Sequence, residues 1–445
     1  MRENAGQLGL AEYYCIEGLN AYGTTVFFLG IFFHARFLHG FSDTSNLLLA
    51  ATQGGTYVLA TRAGGRFADR VGPNLSVVLG LAGMCFALVF GWQSTQGWAL
   101  FAAVAIYSAS TALTWPALEA AIARAPGRIP LARRAGLYNV TWAFVGSAGF
   151  FAGGTLFAFD PDAVFWAPLA AHALEIAWFA MRSGALREKI LPHGDLNGEG
   201  VAQKQALCGS DTRTAKGWRE VGAPGGAQLL ASTDGGAQRQ DPAASTGISV
   251  HQDSFLTPGA QARFLRSAWI ANGLSYFLFG AFAALAPTLG ARLGLGPRLA
   301  IWLVSAYLFT RSASFVLFWR WQGWVYSRGW LAAALILAPA AFAAVFFIPS
   351  PRAAICALAV LGAMSGLAYS ASLHASLDRR GGEGEGGGLH EWMIGLGMLL
   401  GPLSGAAGVR LLNGVGGAGA LVATLAAVAA LIGLMPLLRR LERQP

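Results

Sequence analysis

Charge is scarce in this chain: Asp, Glu, Lys and Arg supply only 12% of its 445 residues, against 55% hydrophobic types. That balance excludes a soluble globular protein, because no single core hides so much apolar surface. The solvent is largely lipid. Cysteine is scarce too, and Cys15, Cys85, Cys208 and Cys356 lie far apart. Their spacing provides neither a disulfide framework nor a metal-binding set, which leaves them as packing residues. Glycine-rich phosphate loops, nucleophile elbows and zinc spacings are missing, so an enzyme, a cofactor or a metal has no support. No small-residue cleavage site follows the first apolar run, which is expected to stay in place as an uncleaved anchor.

What the chain has instead is long apolar runs. Crossing the hydrocarbon layer takes about 20 apolar residues. Twelve runs meet that length, at 13–35, 44–63, 75–92, 97–122, 136–158, 163–181, 266–289, 298–319, 328–348, 353–376, 391–412 and 417–437. Lipid offers backbone groups no water, and runs this long are helices rather than barrel strands, which are about half as long and alternate. The expected fold class is an all-α membrane protein of twelve transmembrane helices in two six-helix pseudo-symmetric halves, residues 1–186 and 265–445. Between them, 187–264 is rich in Gly, Ala, Gln, Ser, Asp and Thr, with balanced charge and hardly an aromatic. Such a stretch buries too little to offset its ordering entropy and is expected to be a disordered cytoplasmic linker. The glycine run at 381–388 is expected to be flexible for a similar reason.

The net charge of +9 does not point to nucleic acid, because the basic residues are spread singly over alternating loops. With the N-terminus inside, most of the 31 Lys and Arg, among them Arg66, Arg70, Arg133, Arg379 and Arg440, fall on one side. The positive-inside rule then places both termini in the cytoplasm of a cytoplasmic (inner) membrane. The halves also echo each other: Tyr107-Ser108-Ala109-Ser110 in the fourth span recurs as Tyr369-Ser370-Ala371-Ser372 in the tenth. Parallel repeats related by an axis along the membrane normal put a solute path on their interface.

Polar residues within spans are the sharpest pointers, since an ionised group at mid-membrane is costly unless it faces a cavity or a partner. In the first span, Tyr13, Glu17, Asn20 and Thr24 form one stripe at i, i+4, i+7 and i+11, a stripe that points inward in lipid. Arg311, midway along the eighth span, either pairs with a carboxylate such as Glu17 or Glu391 or binds an anionic part of a substrate. Glu119 and Glu391 are candidates for carrying a coupling proton, although a carboxylate at a helix start, as Glu391 would be, is also simply favourable with the dipole. His172 and Glu175 share a face of the sixth span and read as a packing pair, too sparse for a metal. The candidate substrate contacts are Glu17, Asn20, Tyr107, Tyr138, Asn272, Tyr276, Arg311 and Tyr369.

After the second span the chain reads Gly64-Gly65-Arg66-Phe67-Ala68-Asp69-Arg70-Val71-Gly72-Pro73. It resembles the Gly-x-x-x-Asp-Arg-x-Gly loop of the major facilitator superfamily at Gly65, Asp69, Arg70 and Gly72, departing from it at Phe67 and at Pro73-Asn74. The carboxylate and guanidinium would latch neighbouring helix ends through charge-assisted bonds. After the eighth span, Arg320-Trp321-Gln322-Gly323-Trp324 keeps only the Arg and a Gly. The set Gly397, Gly401, Pro402 and Gly405 resembles the family's Gly-x-x-x-Gly-Pro-x-x-Gly-Gly pattern, and Gly149 and Gly153 repeat the spacing in the fifth span with Phe150 where the proline would be. Small residues so spaced let helices pack closely.

The resemblance implies a monomeric secondary transporter working by alternating access on a small-molecule substrate, surrounded by membrane lipid, with protons as a candidate coupling ion. It also implies that spans one, four, seven and ten line the cavity. Two alternatives stay open: a proton-driven exporter of amphipathic compounds, and a non-transporting sensor or scaffold. The fourth span lacks the intramembrane Arg that the family's proton-driven drug exporters carry, which lowers the exporter reading.

Overall fold

The computed structural model describes residues 8–124, 131–190, 257–379 and 384–438. Among these residues run twelve long helices: α1 Leu10–Leu38, α2 Asp43–Val71, α3 Pro73–Gln93, α4 Gly97–Arg124, α5 Leu131–Phe159, α6 Ala163–Ile190, α7 Pro258–Arg292, α8 Pro297–Arg320, α9 Arg328–Phe347, α10 Pro351–Arg379, α11 Gly384–Leu411 and α12 Gly414–Leu438. Each coincides with one expected run. Local chemistry fixes several starts. Ser42 Oγ accepts from Ser45 N–H at 3.1 Å and Thr257 Oγ1 from Ala260 N–H at 3.3 Å, each satisfying a donor the first helical turn leaves open. Proline opens α3, α7 and α8, where its missing N–H costs nothing. Gly72 joins α2 to α3 with φ of +89°, a conformation open to glycine and strained for other residues.

Packing repeats with the sequence. α1 lies on α5 as α7 lies on α11; α2 on α4 as α8 on α10; α3 on α4 as α9 on α10. The halves meet along α2 with α11 and α5 with α8. Glycine sets how closely these helices approach. Gly149 and Gly153 of α5 face Tyr22 and Val26 of α1, and Gly397 and Gly401 of α11 face the backbone of Gly273 and Phe277 on α7. Gly405 faces Leu47 of α2, across the seam between halves. The outer helices turn apolar side chains such as Phe86, Leu174, Ile336 and Leu431 outward, as helices surrounded by lipid do.

Eleven of the twelve are long and apolar enough to cross a membrane by length and composition, so the chain is a multi-pass membrane protein. The exception is α2, expected as a span at 44–63. Asn46 and Gln53 dilute its apolar character, and both are buried in the bundle rather than presented outward. The helices of 8–186 and 257–438 belong to one compact unit. Of the expected linker, 191–256 lies outside the described residues, while α6 continues to Ile190 and α7 already begins at Pro258. Likewise α11 starts at Gly384, so the end of the glycine run is helical, continued by the apolar sequence from Leu389 onward.

Candidate functional site

Between the halves lies a cavity of about 170 Å³. Glu17 and Thr24 of α1, Ser108, Trp115 and Glu119 of α4, Tyr276 and Phe279 of α7 and Tyr369 of α10 line it. So do helices outside that expected set of four: Gln53 and Tyr57 of α2, Tyr138 and Trp142 of α5, Leu308 and Arg311 of α8, and Glu391, Ile394 and Met398 of α11.

Arg311 dominates the chemistry of the cavity. It is 5% exposed and walled by rings: its guanidinium carbon lies 4.9 Å from the ring centre of Tyr276, 5.0 Å from Trp142, 5.5 Å from Tyr369 and 5.7 Å from Phe315. Its Nη2 donates to the Tyr276 hydroxyl, and its buried Nε makes no hydrogen bond. No carboxylate among the described residues forms an ion pair with it. The ring quadrupoles take the place of a counter-ion.

Three carboxyl groups share the cavity. Glu17 is 1% exposed, and neither of its oxygens makes a hydrogen bond, although Asn20 and Tyr138 present polar ends to it. Glu391 accepts from the Tyr57 hydroxyl at 2.9 Å. It lies well inside α11 rather than at the helix start, because that helix begins at Gly384. Glu119 is exposed on the cavity side of α4.

Of the eight side chains the sequence offers as substrate contacts, Glu17, Tyr138, Tyr276, Arg311 and Tyr369 line the cavity. Asn20, Tyr107 and Asn272 do not; all three are fully buried among neighbouring helices. Tyr107 turns away to His172, at 2.7 Å. Trp115, on the fourth span that the sequence assigns to the cavity, does line it, and the contributions missed in the sequence are Tyr57 and Trp142. The available signal was spacing, since Gln53 with Tyr57 and Tyr138 with Trp142 each stand at i, i+4. Asp69 and Arg70 are exposed at the end of α2, and a side chain at Gly65 would meet only open space.

Polar bonds join the halves at one end of the bundle. Far from the N-terminus, Asn46 Nδ2 donates to Phe32 O at 3.0 Å and to Ala284 O at 3.3 Å, and the Thr288 hydroxyl donates to Asp43 Oδ1 at 2.5 Å. The bonds to Ala284 and from Thr288 tie α2 to α7, and the bond to Phe32 ties α2 to α1. Towards the other end, where Glu119 lies, α4 and α10 share at most a marginal contact.

The family model described as Major Facilitator Superfamily matches residues 14–233. No curated protein matches the chain in sequence. Among solved structures, it is similar to a POT family transporter in complex with 5-aminolevulinic acid, with a TM-score of 0.65 and 11% identity over 95% of this chain and 94% of that one. A POT family transporter in complex with a thioalcohol conjugated peptide gives 0.67 and 11%, over 95% and 94%. The nucleoside transporter NupG gives 0.58 and 13%, over 97% and 99%. Similarity at this level of identity establishes the shared fold.

Proposed function

We propose that this chain, which belongs to the major facilitator superfamily, is a monomeric secondary transporter that carries a small zwitterionic or acid-bearing solute across the cytoplasmic membrane by alternating access. The observation that carries this reading is Arg311: a buried guanidinium with a free Nε and no ion-pair partner among the described residues, opening onto a cavity that also holds Glu17, Glu119 and Glu391. A substrate carboxylate completes the hydrogen bonding of the guanidinium. The glutamates suit an amine at the other end, and the aromatic walls suit an apolar middle. A cavity of about 170 Å³ limits the solute to a small one. 5-Aminolevulinic acid, named with one structural neighbour, is an apt first probe.

In this reading Tyr138, Tyr276 and Tyr369 contact the solute, while Asn20, Tyr107 and Asn272 support it from behind. Glu119 and Glu391 are placed to take up a coupling proton from the cavity. Both termini lie in the cytoplasm, and Asp69 with Arg70 latches helix ends in one state.

Thermal unfolding of the detergent-purified protein tests the proposal. A ligand at 100 times its dissociation constant stabilises by about 2.7 kcal/mol. 5-Aminolevulinic acid or a short peptide is expected to stabilise the wild type and not Arg311→Ala. Stabilisation by cationic amphipaths alone transfers the reading to an exporter, and no ligand response at all transfers it to a sensor or scaffold.

A further inference from the structure

Behind the cavity, in the N-terminal half, three polar side chains form a line, and none of them lines the cavity itself. Tyr107 Oη lies 2.7 Å from His172 Nε2, and His172 Nδ1 lies 2.9 Å from Glu175 Oε2. All three are 0% exposed, and Glu175 Oε1 has no hydrogen-bond partner. The chain gives up a side chain to seat this group: a Cβ on Gly23 of α1 would lie 2.8 Å from the His172 ring. One residue further along α1, Thr24 lines the cavity, while its hydroxyl is itself buried, interacts with Tyr107 and makes no regular hydrogen bond. The line from the cavity to Glu175 is therefore interrupted at one place, on α1.

Glu175 is hydrogen-bonded to His172 on its own helix and lies within electrostatic reach of Tyr107 from α4, Cys85 from α3 and Glu17 from α1. Among the described residues no lysine or arginine joins them. An ionised carboxylate buried there has only an imidazolium to neutralise it, so the His172–Glu175 pair is electrically neutral when it holds one proton beyond the neutral imidazole with a bare carboxylate. Losing that proton leaves an uncompensated buried charge.

We propose that His172 and Glu175 form a proton-holding site that exchanges with the central cavity through Tyr107 and Thr24, the connection being made and broken by movement of α1. The proposal rests on the transport reading above. On loading, a proton reaching Thr24 Oγ1 releases that hydroxyl's own proton to Tyr107; Tyr107 passes its proton to His172 Nε2, and the proton on Nδ1 moves to Glu175 Oε2. Both hydroxyls end unchanged, the imidazole changes tautomer, and the carboxylate becomes a carboxylic acid. Unloading reverses each transfer and gives one proton back to the cavity.

Infrared difference spectra of the full-length purified protein across a pH series test the site without any substrate. The wild type is expected to show protonated-carboxyl absorption that fades as pH rises, and Glu175→Gln to lack one component of it, leaving those of Glu17, Glu119 and Glu391. Superimposable spectra for the two proteins at every pH overturn the proposal. Tyr107→Phe removes one hydroxyl and serves if Glu175→Gln does not fold: a displaced titration of that component supports the relay, and an unmoved one overturns it. In proteoliposomes, Glu175→Gln is expected to keep counterflow of 5-aminolevulinic acid and lose its proton-gradient-driven accumulation, whereas accumulation equal to wild type overturns the coupling role. A wild type that moves no probe removes the transport reading, and the infrared titration alone then decides whether the site holds a proton.

Discussion

Arg311 shows how a single cation is kept in an apolar bundle: it is stabilised by ring faces and one hydroxyl, which leaves part of its donor set for a ligand. Lysine at this position keeps the charge and loses both the planar fork and the stacking. Each desolvated ring contact is worth about 0.5–2 kcal/mol, and about 1.4 kcal/mol is tenfold in affinity. Arg311→Lys is therefore expected to fold and to bind an acidic ligand at least about tenfold more weakly by calorimetry; equal affinity removes Arg311 from the binding site. Gly23 provides a second residue-scale test. A methyl group there collides with the His172 ring, and overpacking of this kind costs about 1–3 kcal/mol. Gly23→Ala should lower the unfolding temperature, and the loss should shrink when His172 is also changed to alanine, since the two residues then no longer compete for the same space.

At the scale of helices, composition alone revealed almost everything, because a lipid solvent leaves one regular structure for a long apolar run. The same logic made Glu17 and Arg311 visible, each being ionisable within an apolar segment. It failed for Tyr57, Trp142 and Phe315, since an aromatic in an apolar run carries no sign of which neighbour it faces. Asn20 failed in the opposite sense: a polar stripe fixes a direction around the helix axis, and a neighbouring helix can still cover it. The depth of Glu391 was hidden because glycines at 384–388 concealed where α11 starts. Close contact between helices is likewise invisible in sequence until both faces are known. A Cβ on Gly401 would run into the Phe277 backbone, whereas one on Gly416 in α12 meets nothing within 4 Å. Gly401→Ala is thus expected to destabilise by about 1–3 kcal/mol by forcing α11 from α7, while Gly416→Ala causes no loss. Thermal unfolding of the two variants in detergent decides; equal behaviour would mean that α11 and α7 do not pack through this glycine.

At the scale of the whole molecule, the two halves are held at one end by few polar bonds, and that arrangement suits a structure with a second state. α2 and α7 are joined there by Asn46 to the Ala284 carbonyl and by Thr288 to Asp43, with α4 and α10 barely touching towards the other end. An intramolecular hydrogen bond contributes about 1 kcal/mol net. Removing both with Asn46→Ala and Thr288→Ala takes about 2 kcal/mol from this end, which shifts a two-state ratio by about thirtyfold. Spin labels on Leu38 and Arg292, both exposed at the end of α1 and α7 where these bonds lie, report the separation of α1 and α7. The double variant is expected to enlarge the population at long separation and, in the same molecules, to bring labels on the opposite ends of α4 and α10 closer. Opening of the first pair without closure of the second would mean that the bonds merely hold a local turn; no change in either pair would mean that the halves are held by the packing of α2 against α11 and α5 against α8.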